Sequence, residues 1–270
     1  MRRIPGGLLA AAAMAWGAAS ARADERHFTY SYETQTLTKG SVEVEQWATA
    51  RFNRDGGRYH VFELREEFEY GVTDRLTTSL YLNWKEFGVQ ETAARPGEHG
   101  AVFDSFSNEW KFKLWDPDVD PVGLLLYAEL GLGEDVEEIE LKAVAQKNVG
   151  DWRVAYNLVL EMEREKSFDS AAGADVIEKS SALIHTVGVS YQVDPNFAVG
   201  LEGYHAQDFD EIYKHQVGQS LFVGPVVHVA WSKAWATFTV LRQVDVRPGH
   251  GLDLDNHERY EARIIFAINF

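Results

Sequence analysis

Glu43, Glu45, Glu67 and Glu69 are two pairs of carboxylates, each pair spaced by two, in the stretches SVEVEQW (41–47) and ELREEFEYG (63–71). In an extended chain that spacing puts both members of a pair on one face. If the stretches form a hairpin about a loop near Gly56, Glu45 meets Glu67 and Trp47 meets Arg65. A turn at YGVTDR, centred near Thr73, then brings Arg65 against Tyr81. Arg65 between two aromatic rings is a cation–π arrangement worth roughly 0.5–2 kcal/mol. The four carboxylates have two readings. One is a lattice neutralised by Arg75, Lys111, Lys113, Arg153 or Arg263, because unpaired charges in a narrow interior are costly. The other is an acidic ring that admits cations and disfavours anions.

Strands must position these residues, because from Ser41 onward the dominant period is two rather than 3.6. Val42, Val44, Gln46, Ala48 and Ala50 alternate with Glu43, Glu45, Trp47, Thr49 and Arg51; Phe62, Leu64, Glu66, Phe68 and Tyr70 alternate with Glu63, Arg65, Glu67 and Glu69. Leu76 to Trp84 repeats the pattern. Further segments are predicted near 106–115, 122–132, 138–149, 152–163, 181–193, 197–207, 220–231, 234–244 and 258–270. The count is about twelve strands, within ten to fourteen. Glu66 is out of pattern: it falls on the apolar stripe, opposite Gln46. An acidic residue facing lipid costs less than the roughly 2–4 kcal/mol of Arg or Lys. Its position calls for a bulge that turns it inward, a protonated Glu66 bonded to Gln46, or a contact between protomers. Pro225 inside a strand calls for another bulge.

The connections are of two kinds. YGVTDR, DPDVDP, NVGD, VDPN and WSKA are tight turns, whereas polar stretches near 87–105, 164–180, 207–219 and 245–257 read as longer loops. Short periplasmic turns and long extracellular loops, with aromatic residues near the stripe ends (Phe52, Tyr70, Trp84, Trp110, Trp152, Trp231, Tyr260, Phe270), fit an all-β, antiparallel, transmembrane up-and-down β-barrel. A soluble sandwich shares the alternation but leaves the charge-dense second face without a purpose.

Composition agrees. The chain has 26 Lys and Arg against 42 Asp and Glu, a net charge of −16, which disfavours nucleic acid as a partner. It has no cysteine, so no disulfide supports it. Arg2 and Arg3, an apolar run from Leu8 to Trp16 and the small residues Ala21 and Ala23 predict a secretory leader over residues 1–23. A periplasmic segment is then expected over 24–40 and the barrel over 41–270. Mean hydropathy is negative, which a barrel tolerates because only alternate residues meet lipid.

The strand YEARIIFAINF (260–270), with Tyr260, Ile264, Phe266, Ile268 and Phe270 on one stripe, resembles the C-terminal strand that bacterial outer-membrane assembly machinery recognises. KGSVEVEQW (39–47), FELREEFEYGVTDRL (62–76) and SLYLNW (79–84) resemble an uncharacterised family of Gram-negative outer-membrane barrels. EYGVTDRL (69–76) is similar to the first hairpins of outer-membrane transporters associated with aromatic-compound degradation. These resemblances imply fold and an outer-membrane location, with lipid and the assembly machinery as partners. They imply no catalytic residues.

The function expected is passage of a small solute through a narrow channel, with Glu43, Glu45, Trp47, Arg65, Glu67, Glu69, Tyr81, Lys111, Lys113 and Arg263 lining the lumen. The alternatives are a closed structural or surface-binding barrel and, third, a barrel hydrolase. No enzyme activity, cofactor or metal is expected. His185, His205 and His228 are isolated on their strands and read as lumen or rim residues rather than catalytic bases. DPDVDP (116–121) and the group Asp253, Asp255, His257 and Glu258 lack the spaced oxygen-ligand pattern of a calcium loop.

Overall fold

The computed structural model describes residues 25–54, 59–89, 98–169, 173–246, 249 and 251–270. The expected leader, 1–23, and Gly56 lie outside them. Twelve strands follow one another: β1 (Val42–Phe52), β2 (Tyr59–Thr73), β3 (Leu76–Val89), β4 (Glu98–Trp115), β5 (Gly123–Gly133), β6 (Val136–Val149), β7 (Trp152–Asp169), β8 (Ala174–Asp194), β9 (Phe197–Asp210), β10 (Gln216–Ala230), β11 (Ala234–Val244) and β12 (Tyr260–Asn269). Each pairs antiparallel with its neighbours in sequence. β12 returns to β1, from Glu43 against Asn269 to Phe52 against Tyr260, and the sheet closes with no free edge. The Phe270 amide donates to the Val42 carbonyl at 2.9 Å and finishes the seam.

Alternation sorts the two faces as the sequence predicts. On β1, Glu43, Glu45, Trp47 and Thr49 are buried inside, while Val42 and Gln46 are exposed outside. Phe68, Leu80, Trp110, Leu201 and Phe266 belong to an apolar outer surface that lipid covers in barrels of the outer-membrane type.

The structure corrects several expectations. The β1–β2 register sets Trp47 against Arg65 and Glu45 against Glu67 as expected, but β2–β3 shifts between Gly71 and Thr73. Arg65 therefore opposes Asn83, and Tyr81 opposes Glu67. No shift occurs at Glu66, which stays on the outer stripe. Trp84 Nε1 donates to its carboxylate at 2.9 Å, and Gln46 donates instead to backbone carbonyls of Arg65 and Trp47. Pro225 keeps its pairing with Leu201. On the other side the β10–β11 pairing skips Gly224 and Pro225 without changing register, so the missing proline donor produces a gap rather than a bulge.

Three of the expected loops are largely strand, the first being 87–105, of which 87–89 belong to β3 and 98–105 to β4. The stretch 164–180 belongs mostly to β7 and β8, and 207–219 mostly to β9 and β10. Charged residues there pair across the hairpins, as Lys166 does with Asp175 at 2.7 Å, so the ladder continues beyond the apolar band. On the turn side, 116–122 is longer than a tight turn. The Asp120 amide donates to the Asp116 carbonyl at 2.7 Å, and the Asp120 carboxylate accepts from the Asp116 amide at 2.8 Å.

Candidate functional site: a plug inside the lumen

Residues 25–40 do not form the separate periplasmic segment expected over 24–40. They run inside the barrel: Arg26, His27, Phe28, Thr29, Ser31, Tyr32, Glu33, Thr34 and Leu37 are all buried. The path begins at the mouth formed by the short turns, where Glu25 and His27 share a cavity of about 670 Å³ with Asp151, Asp194 and Trp231. It rises to the middle of the wall at Tyr30 and returns to the same mouth, where the Lys39 amide meets the Asp74 carboxylate at 2.9 Å.

An irregular buried backbone must find partners for its amides, and the wall supplies them from side chains. Glu202 on β9 accepts from the amides of Thr29 (3.1 Å), Tyr30 (2.7 Å) and Ser31 (2.6 Å), and from the Thr239 hydroxyl at 2.9 Å. Asn157 on β7 clamps Tyr32, accepting from its amide at 2.6 Å and donating to its carbonyl at 2.9 Å. Gln146 accepts from the Thr34 amide at 2.8 Å, and Thr77 from the Leu37 amide at 2.9 Å. Arg153 on β7 bonds Glu33 at 2.5 Å. Phe28 packs in a small apolar cluster with Ala155 and Val226. Gly188 makes room for it, since a Cβ there would stand 2.6 Å from the ring.

The predicted acidic group does assemble beside the plug. Glu43, Glu45, Glu67 and Glu69 are each no more than 2% exposed. Trp47 Nε1 donates to Glu45 at 2.7 Å and Glu67 at 3.1 Å, and Trp235 Nε1 to Glu43 at 3.1 Å. Of the cations proposed as neutralisers, Lys111 reaches the group, bonding Glu69 and lying 3.5 Å from Glu109. Lys113 turns to Asp116, Arg75 is exposed at a turn, and Arg153 goes to the plug. Arg263 donates to the Thr49 hydroxyl and to the plug carbonyl of Thr29. Oxygens of Glu45, Glu67 and Glu69 lie within 4.8 Å of one another.

Cations stacked on rings recur through the lumen. Despite the register shift, Arg65 lies 4.1 Å from the Tyr81 ring centre and 5.6 Å from Trp47, with its guanidinium on Glu129 at 2.6 Å. Lys142 sits between Tyr32 (3.9 Å) and Tyr127 (4.0 Å), and Arg263 lies over Tyr30 at 4.0 Å. Arg65, Lys142 and Arg263 line a vestibule of about 420 Å³, whose floor includes Tyr30 and Tyr32 of the plug. Its lining also includes Arg51, bonded to Glu63, Glu258 and Glu261, and Glu138, Glu140 and Glu161 on β6 and β7.

The remaining expected groups find ordinary partners. His185 and His205 pair across β8–β9 on the outer face, with the Tyr156 hydroxyl 2.8 Å from His185 Nδ1, so they are not lumen residues. His228 does face inward and stacks on His27 at 4.7 Å. His27 Nδ1 bonds Ser190 at 2.9 Å, but Glu33 accepts from the His27 amide instead of orienting its ring, so the three do not form a hydrolytic relay. Asp253 bonds the Gln219 amide, His257 bonds Asp208 and Glu258 bonds Arg51.

Glu202, Asn157 and the plug itself escape sequence reasoning. One signal existed: inward-facing Glu202 has a glycine opposite it on each side, Gly188 and Gly224, a wall too small to fill its own lumen.

Comparison with solved structures gives the same architecture. The NanC porin aligns with 85% of this chain and 100% of its own at a TM-score of 0.52 and 10% identity. The translocator domain of the autotransporter NalP from Neisseria meningitidis aligns with 87% of this chain and 90% of its own at 0.55 and 11%. At such identities the likeness is one of fold. No curated protein matches the sequence. A family profile does, over residues 20–270, a span that includes both plug and barrel, and the chain therefore belongs to DUF6662, a family of unknown function.

Proposed function

We propose that this protein is a gated outer-membrane channel for small polar solutes, exported through a leader at residues 1–23 and assembled through the strand Tyr260–Phe270. One observation carries the reading. Tyr30 and Tyr32 line the upper cavity while Glu25 and His27 line the lower one, so the plug, packed among wall side chains such as Trp47 and Trp235, reaches from one to the other. That segment is held by hydrogen bonds to wall side chains, which water can replace, and by two apolar anchors, Phe28 against Ala155 and Val226 and Tyr32 in a cluster with Trp47, Tyr127 and Trp235. The resemblance of EYGVTDRL to transporters associated with aromatic-compound degradation supports passage as the activity. Transport needs no catalytic group, and the narrow charged vestibule selects by size and charge.

Planar-bilayer recording tests this. Glu202→Ala leaves three buried amides without their acceptor, at about 1–3 kcal/mol each. Mean conductance should rise about tenfold or more over the unmodified chain, as the open fraction follows the lost free energy. Cysteines at positions 34 and 146, where Thr34 and Gln146 bond at 2.8 Å, joined by a short thiol cross-linker should silence the pore until the link is cleaved. Equal silence of every form would favour the second reading, a permanently closed structural barrel. The density of plug bonds to Glu202, Asn157 and Gln146 is the observation on that side.

A further inference from the structure

Arg26 is carried into the lumen by the plug and is 3% exposed. Its guanidinium lies 3.9 Å from the Tyr32 ring centre and 4.7 Å from that of Trp47. The carboxylates whose charge acts on it most are Glu45 and Glu67. Yet Nε and Nη2 of Arg26, and Oε1 of Glu67, have no hydrogen-bond partner among the described residues. The guanidinium is held by ring faces beside the carboxyl groups of Glu45 and Glu67, without the two-pronged carboxylate bond that a buried arginine ordinarily makes. Arg65, Lys142 and Arg263 are wall residues. Arg26 is a cation on ring faces that belongs to the plug.

From this geometry we infer that Trp47, Glu45 and Glu67 form a lumen site for a small organic cation, a guanidinium or an alkyl amine, and that Arg26 is its tethered occupant. The inference rests on the channel reading for how such a solute reaches the site. An organic cation fits better than a metal ion for two reasons. A delocalised, weakly hydrated cation gains from the faces of Trp47 and Tyr32. The carboxylates of Glu45 and Glu67 already accept from the Trp47 indole, which leaves a poor oxygen cage for a hard ion. A solute of this class would compete with Arg26 and so loosen the plug as it binds.

Two measurements on the full chain test the site. In detergent, Arg26→Ala removes the occupant. Methylguanidinium should then raise its Tm by roughly 3 °C at about ten times the Kd, while Na⁺ or Ca²⁺ at equal ionic strength should not. The Arg26→Ala/Glu67→Gln double variant should lose the response. No shift, or an equal shift with Ca²⁺, overturns the inference. The second measurement keeps Arg26. A lone cysteine at position 29 reports plug exposure by maleimide labelling. Arginine methyl ester at about 10 mM should speed that labelling about tenfold relative to NaCl, as expected when a ligand favours the open form. Unchanged labelling overturns the inference even if Arg26→Ala fails to fold. Neither readout needs conduction, so a silent bilayer would sink the channel reading and leave the site standing.

Discussion

At the scale of single residues, the wall tolerates polar groups where a neighbour satisfies them. Glu66 stays on the outer stripe because Trp84 gives it a donor. Glu66→Leu exchanges one hydrogen bond, worth about 0.5–1.5 kcal/mol, for an apolar side chain in lipid, where acidic groups are unfavourable. Its urea midpoint in lipid vesicles should hold or rise, and a clear fall would contradict a lipid-facing Glu66. His257, in the loop between β11 and β12, bonds Asp208 at 2.7 Å and lines the vestibule. Burial opposes its charge, but the Asp208 carboxylate, with Glu258 and Asp253 nearby, outweighs that and raises its pKa above the ordinary value. The folded pKa exceeds the unfolded one, so the stabilisation is complete below about pH 6.5 and is lost as pH rises through the folded value. Amide exchange over 252–258, corrected for intrinsic rate, should therefore quicken between slightly acid and alkaline pH, and His257→Gln should flatten the profile. Sequence alone gave Glu45 opposite Glu67, because the pleat and one hairpin suffice for that pair. It set Arg65 against Tyr81 in the ladder because a shift after Gly71 leaves no periodic trace.

At the scale of elements, the strands were legible and the plug was not. Period-two stripes follow from a wall with different solvents on its two faces, so their number and most of their bounds can be read directly. Residues 25–40 have no period, because their amides are met by side chains scattered over the wall, Glu202, Asn157, Gln146 and Thr77, rather than by a neighbouring strand. Such a segment looks like any polar linker until the lumen around it is known. Gly188 gives a direct handle on its fit. Gly188→Val would drive a side chain into Phe28, and overpacking of this kind costs about 1–3 kcal/mol. If the plug yields rather than the wall, its exposed fraction rises about 5- to 150-fold. Limited proteolysis should then cut within 25–37 while the barrel keeps its heat-resistant migration on gels. Protection equal to the unmodified chain would show that Phe28 does not anchor the plug.

At the scale of the whole molecule, charge and closure act together. Many acidic side chains point inward, where Lys111, Arg51 and Arg65 meet some of them and Trp47 and Trp235 meet others. The seam between β1 and β12 leaves no edge for another sheet to extend. Both ends of the inserted segment share one opening, Glu25 among the short turns and Lys39 beside Asp74. A loop of that kind is threaded through nothing. It can withdraw and return while every bond of the seam stays intact, with no free end drawn across the ring. Withdrawal of the plug is therefore a local melting event, on the microsecond-to-second scale of lids and loops, and does not require the barrel to unfold.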